Sequence, residues 1–214
     1  MRRPDGRDAL IAALRSELTP TRRRVSPTVA TAAWLSVTAL IGAMAVLGFG
    51  PLRAGWSDDL RNVPGVGLEM LAGVLTVLFV GGAVLRLSVP GVPVARTLTL
   101  AVLATCAWLG LLVVALLAET PRSTWGLRPF CWAETFLSGL PGLVLGMLLL
   151  RRRAPLHRGL CGFLTGFGAA AVPAVLMHLA CIAEPGHVLV EHLVPAGLLG
   201  LVGAGVGRLV LRKV

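Results

Sequence analysis

Three of the chain's four histidines and one of its four cysteines fall in one stretch, MHLACIAEPGHVLVEH, residues 177–192. Thiolate and imidazole are ligands for zinc and related soft ions, and a thiol is also a redox group. His178 and Cys181 stand three residues apart, which on a helix puts them on one side, a turn from each other. A second cysteine, Cys131, sits just before another apolar run. These residue types allow three chemistries. Cys131 and Cys181 can form a disulfide in an oxidising compartment. They can bind a soft metal, with His178, His187 and His192 as candidate further ligands. Or the histidines present an amphipathic ring at headgroup level and the cysteines act as small apolar residues. The last reading is preferred for His187 and His192 alone, and redox or metal sensing for the Cys131/Cys181 pair. H-x-x-C is a weaker motif than a doubled CxxC. Cys106, in mid-span, and Cys161, at the start of a span, read as packing residues.

The elements that would position these groups are apolar helices. The chain of 214 residues is 56% hydrophobic and 14% charged, with a mean hydropathy of +0.82. A soluble domain of this length cannot hide so much apolar surface. Six runs, at 29–50, 66–88, 94–118, 133–150, 159–182 and 193–211, approach the roughly 20 helical residues needed to cross a hydrocarbon core. Gly and Pro mark the short connections, as in NVPGVG, SVPGVPV and AEPGH. The expected fold is an all-α integral membrane protein. A cytoplasmic amphipathic segment over 1–28 precedes a bundle of six transmembrane helices over 29–214. The absence of Tyr and of period-two alternation argues against a membrane barrel. The first run reads as a membrane span rather than a cleaved signal, because about 28 polar residues precede it. GxxxG spacing at Gly142/Gly146, Gly162/Gly166 and Gly203/Gly207 suggests a tight three-helix unit in the second half. Pro141 and Pro173 lie inside spans and can kink them.

The net charge of +10 is almost wholly arginine. In a membrane protein such charge records topology before it suggests nucleic acid, because basic loops are retained in the cytoplasm. With the N-terminus inside, sixteen of the twenty basic residues fall in cytoplasmic pieces. Only Arg53, Arg61, Arg122 and Arg128 fall outside, so both termini are expected inside. In DALIAALRSELTP, Leu10, Leu14 and Leu18 recur on one helical face with Ile11 beside them. Pro20 ends the pattern, and Arg22, Arg23 and Arg24 meet the membrane. This is either an interfacial helix on lipid headgroups or a docking helix for a cytoplasmic protein.

LIAALRSELTPTRRRVSPTVATAAWL, with its leucine helix, Pro20, Arg22-Arg23, Pro27 and Trp34, resembles the amino-terminal block of the NrsF-like family of six-span bacterial anti-sigma factors. CWAETFLSGLPGLVLGMLLLRRRAPLHRGLCGFLTG is similar to that family's central block, and the stretch from His178 through Cys181 to the last span is similar to its final block. The resemblance covers nearly the whole chain. It implies a regulator of the bacterial inner membrane that binds an extracytoplasmic-function (ECF) sigma factor and is not an enzyme. It also implies that Cys131 and Cys181 report oxidant or heavy-metal stress outside the cytoplasm, and that the inner segment, with Leu10, Leu14, Leu18, Arg22 and Arg23, restrains the sigma factor. Membrane lipid is the other expected partner, with no direct nucleic acid and no small-molecule substrate. Zinc or another soft metal at the cysteine–histidine cluster is the candidate cofactor. Two other classes compete. A membrane thiol oxidoreductase feeding a quinone would need a second reactive cysteine pair as relay. A small transporter would need ionisable groups near the midplane, whereas Glu69, Arg86 and Arg96 lie near span ends.

Overall fold

The computed structural model describes residues 6–17, 25–63, 65–89, 91–119, 122, 126–153 and 155–211, and these residues form helices and short connections with no strand. Helix α1 is Gly6–Glu17 and α2 is Pro27–Phe49. A short α3, Trp56–Asn62, precedes α4, Val66–Leu87, and α5, Ala95–Leu117. Then come α6, Cys131–Arg151, and α7, Arg158–Ala180. The last stretch joins α8, Pro185–His187, a π-helical segment, Val188–Leu193, and α9, Val194–Val210. Among the described residues, α2, α4, α5, α6, α7 and the combined Pro185–Val210 are long and apolar enough to cross a membrane. A helix satisfies its own backbone, which is why apolar chains of this length take this form in lipid.

Local chemistry moves several boundaries from their expected places. The first span begins at Pro27 because Ser26 caps it, its side chain accepting from the Val29 N–H at 3.3 Å, and proline is favoured in the first helical turn. The last span begins at Pro185, not near 193. The AEPGH stretch is a helix start rather than a loop, because Glu184 accepts from the backbone N–H groups of Gly186 and His187. The fifth span stops at Ala180, and Cys181 beyond it is extended. His178 and Cys181 are therefore not neighbours on one helical face, contrary to the spacing argument. Pro141 and Pro173 both lie within continuous helices. The connection after α2 is also no simple loop, since it contains α3.

Helix α7 is the centre, packing against α9, α6, α4 and α2 and buried along most of its length. The glycine pairs explain the closeness. A Cβ on Gly162 would collide with the Gly203 carbonyl, and one on Gly166 with the Leu199 carbonyl. The expected tight unit of α6, α7 and α9 is present, and the Gly142/Gly146 pair also admits α2. Gly142 faces Thr38, Gly146 faces Trp34, and the Trp34 indole donates to the Gly142 carbonyl at 2.9 Å. Cys161 is buried as a packing residue, but Cys106 is exposed on the surface of α5. In α1, Leu10, Ile11 and Leu14 are exposed. Leu18, Arg22 and Arg23 lie outside the described residues.

Candidate functional site

Cross-links between loops show which helix ends share one end of the bundle. The backbone N–H of Arg53, just past α2, donates to the Leu179 carbonyl near the end of α7 at 3.0 Å. Arg122, past α5, grips Glu69 in the first turn of α4 through two hydrogen bonds of 2.6 and 2.8 Å and also donates to the Ala183 carbonyl at 3.0 Å. Arg128, before α6, donates to the Val46, Gly50 and Pro51 carbonyls at the end of α2, and to Glu134 at 2.9 Å. At the opposite end Arg153 meets the Val25 carbonyl and Arg158 meets the Arg208 and Leu211 carbonyls.

Cys131 and Cys181 meet at the first of these ends. Cys131 is the first residue of α6, and Cys181 follows the last residue of α7. Their sulfurs are 2.7 Å apart and both are free thiols. Both are almost fully buried, in a cluster with Val46, Met177, Ala180 and Ile182. The Cys131 thiol also contacts the Arg128 carbonyl at 3.3 Å. The Cys181 sulfur lies 3.1 Å from Nε2 of His187. Hydrogen bonding from Cys131, with His187 adding to it, pulls Cys181 below the ordinary thiol range against the opposing effect of burial.

The two histidines join the same point. Cys131, Cys181, His187 and His192 each offer a ligand atom, and these atoms all lie within 4.8 Å of one another. His192 is fully buried, and neither ring nitrogen has a hydrogen-bond partner among the described residues. Its ring meets His187 edge-on, with centroids 5.3 Å apart. His178 stands one ring further in. Its Nδ1 is 3.1 Å from the Ala174 carbonyl one turn back, and its ring lies 6.2 Å from that of His192 and 6.0 Å from Trp108. The structure therefore gathers four of the five predicted sulfur and nitrogen ligands and leaves His178 outside. It also brings in two residues that sequence reasoning passed over, Val46 and Arg128. In the sequence Arg128 counts only as a topology charge. The signal available was its place three residues before Cys131 and six before Glu134.

Residues 14–212 match the family described as NrsF, negative regulator of sigma F. No curated protein and no solved structure matches the chain.

Proposed function

The chain belongs to the NrsF family, described as negative regulator of sigma F, and from that premise we propose that it is an anti-sigma factor of the bacterial inner membrane. It holds an ECF sigma factor at its cytoplasmic face and releases it when Cys131 and Cys181 are oxidised or ligated on the other side. The observation that carries this reading is the meeting of two thiols from different spans, 2.7 Å apart, packed on Val46 of α2. Helix α2 is the span that leads back to the amino-terminal segment. Its far end is held by Arg128, whose own carbonyl contacts the Cys131 thiol. A change of state at Cys131 thus acts on α2 through one residue.

The distribution of charge supports an orientation with both termini inside. Arg86, Arg96, Arg151, Arg152, Arg153, Arg158 and Arg208 gather at the end away from the cysteines, and basic termini of spans stay in the cytoplasm. The exposed Leu10 and Leu14 on α1, with Ile11, are then on the side where a sigma factor would dock. Leu18, Arg22 and Arg23 would continue that surface.

Oxidation converts the two thiols to a disulfide and gives up two protons and two electrons, which a peroxide takes up to become water. Ligation instead replaces the two thiol protons with a metal ion. The magnitudes set the scale of both triggers. Moving a two-state equilibrium from 1:99 to 99:1 takes about 5.5 kcal/mol of differential stabilisation. A disulfide contributes about 2–4 kcal/mol, whereas structural zinc sites reach about 10–16 kcal/mol. Either event supplies stabilisation of that order, and only the part that favours one helix arrangement over the other moves the equilibrium. The family description supports a regulatory role, and Cys161, the other buried cysteine, lies twenty residues back along α7 from Cys181, about 30 Å away.

Co-purification tests the reading. The tagged full chain, solubilised from native membranes, is expected to retain a sigma factor. A variant lacking residues 1–24, and with them α1, is expected to lose it while its six remaining long helices stay folded and monodisperse in detergent. Retention of no sigma factor by the full chain would overturn the proposal.

A further inference from the structure

We propose that His187 and His192 complete a four-ligand site with Cys131 and Cys181, and that this site takes one thiophilic d10 ion of the zinc or cadmium type in tetrahedral S2N2 geometry. The proposal rests on the sensing role above and specifies the ligands of that same site.

The π-helical segment is what makes the set. His187 and His192 are five residues apart, which on an α-helix would separate them by about 140° around the axis. The i→i+5 turn of Val188–Leu193 brings positions five apart onto one face instead, and single π turns of this kind occur often at functional sites. The result is two imidazoles at one place, 5.3 Å between ring centroids, over two sulfurs. His192 supplies an independent sign of a missing ligand. A fully buried imidazole with neither nitrogen bonded is costly unless something binds there.

The charge balance suits a buried centre. A divalent ion enters, two thiol protons leave to solvent, and no electron moves. Two thiolates and two neutral imidazoles then give zero net charge, so the centre avoids the penalty of an uncompensated ion in an apolar cluster. The ligand types exclude hard cations, which demand oxygen. The half-buried His187 is the one member of the four with solvent access, and Glu184 anchors its backbone at the start of α8. Metal bonds of about 2.3 Å to sulfur and about 2.0 Å to nitrogen set ligand atoms about 3.3–3.8 Å apart. The sulfurs, now 2.7 Å apart, must therefore part by about 1 Å. That movement carries the first residue of α6, with Arg128 behind it, away from the end of α7.

The test is a Co2+ titration of the full chain in lipid nanodiscs with thiols kept reduced, followed by displacement with Cd2+. The expected result is one ion per chain, intense visible bands of tetrahedral Co2+, a sulfur-to-cobalt charge-transfer band, and loss of both on adding Cd2+. H187Q and H192A should each weaken binding by more than about tenfold and alter the visible bands. C131S should reduce the charge-transfer band, and H157A, at the other end of the bundle, should change nothing. His187 is half-buried, so H187Q keeps the question open to refutation even if H192A misfolds. A reduced chain that binds no Co2+, or binds it equally well in H187Q, overturns the ligand set. Sigma-factor capture by the same preparations separates the two ideas. Capture without metal binding sinks this site alone, and metal binding without capture sinks the anti-sigma reading alone.

Discussion

Arg122 and Glu69 show why the few charges at the cysteine end matter more than their number. Both side chains are almost completely buried, and their paired hydrogen bonds join the loop after α5 to the first turn of α4. Breaking such a pair strands one buried charge, at a cost of about 3–5 kcal/mol. Arg122→Met is therefore predicted to lower the thermal midpoint of the detergent-solubilised chain sharply, whereas Arg61→Met, in the exposed part of α3, should leave it nearly unchanged. An unaltered midpoint in Arg122→Met would contradict the structural role. At this scale the sequence exposed the ligand types: Cys131, Cys181, His187 and His192 stand out in so apolar a chain. It hid the arginine contacts, because a count of basic residues assigns each one a side of the membrane and no partner. It also misplaced His178, whose distance from the group depends on α7 ending at Ala180 and Cys181 turning extended.

The element that decides packing is α7, and its small residues face α9 backbone to backbone. Gly162→Ala puts a methyl group into the Gly203 carbonyl with no flexible side chain to yield. The expected outcome is separation of α7 from α9, read as loss of thermal stability and faster proteolysis. Gly205→Ala, on the same α9 but facing open space, should be neutral or slightly stabilising, by up to about 1 kcal/mol, because alanine is the better helix former. Equal behaviour of the two variants would mean that the close approach is not what holds the unit. The GxxxG spacing made this unit readable in advance, since close backbone approach requires small residues four apart. The helix starts at Ser26-Pro27 and Glu184-Pro185 were harder to read. Each proline suggests a break, and only the cap contact shows that the helix begins there. The π-helical segment had no signal at all in the hydrophobic pattern, because one wide turn inside an apolar run leaves its periodicity intact.

Across the whole molecule, six apolar runs of near-bilayer length made the bundle legible, because each helix must satisfy its own backbone in lipid. What the pattern does not carry is how the ends meet, and the proposed device lies in those ends. Two thiols and two imidazoles form one cluster, Val46 and Arg128 tie it to α2, and α2 leads back toward α1 at the opposite end. A ligand shifts such an equilibrium only by binding one arrangement better than the other. The most direct measurement is sigma-factor release from the reconstituted full chain, followed after adding Cd2+ with thiols reduced, for wild type and for the C131S/C181S variant. The account predicts that wild type releases its partner and that the double variant, still loaded, does not. Equal release from both, or full retention by wild type after its thiols have been ligated, would contradict it.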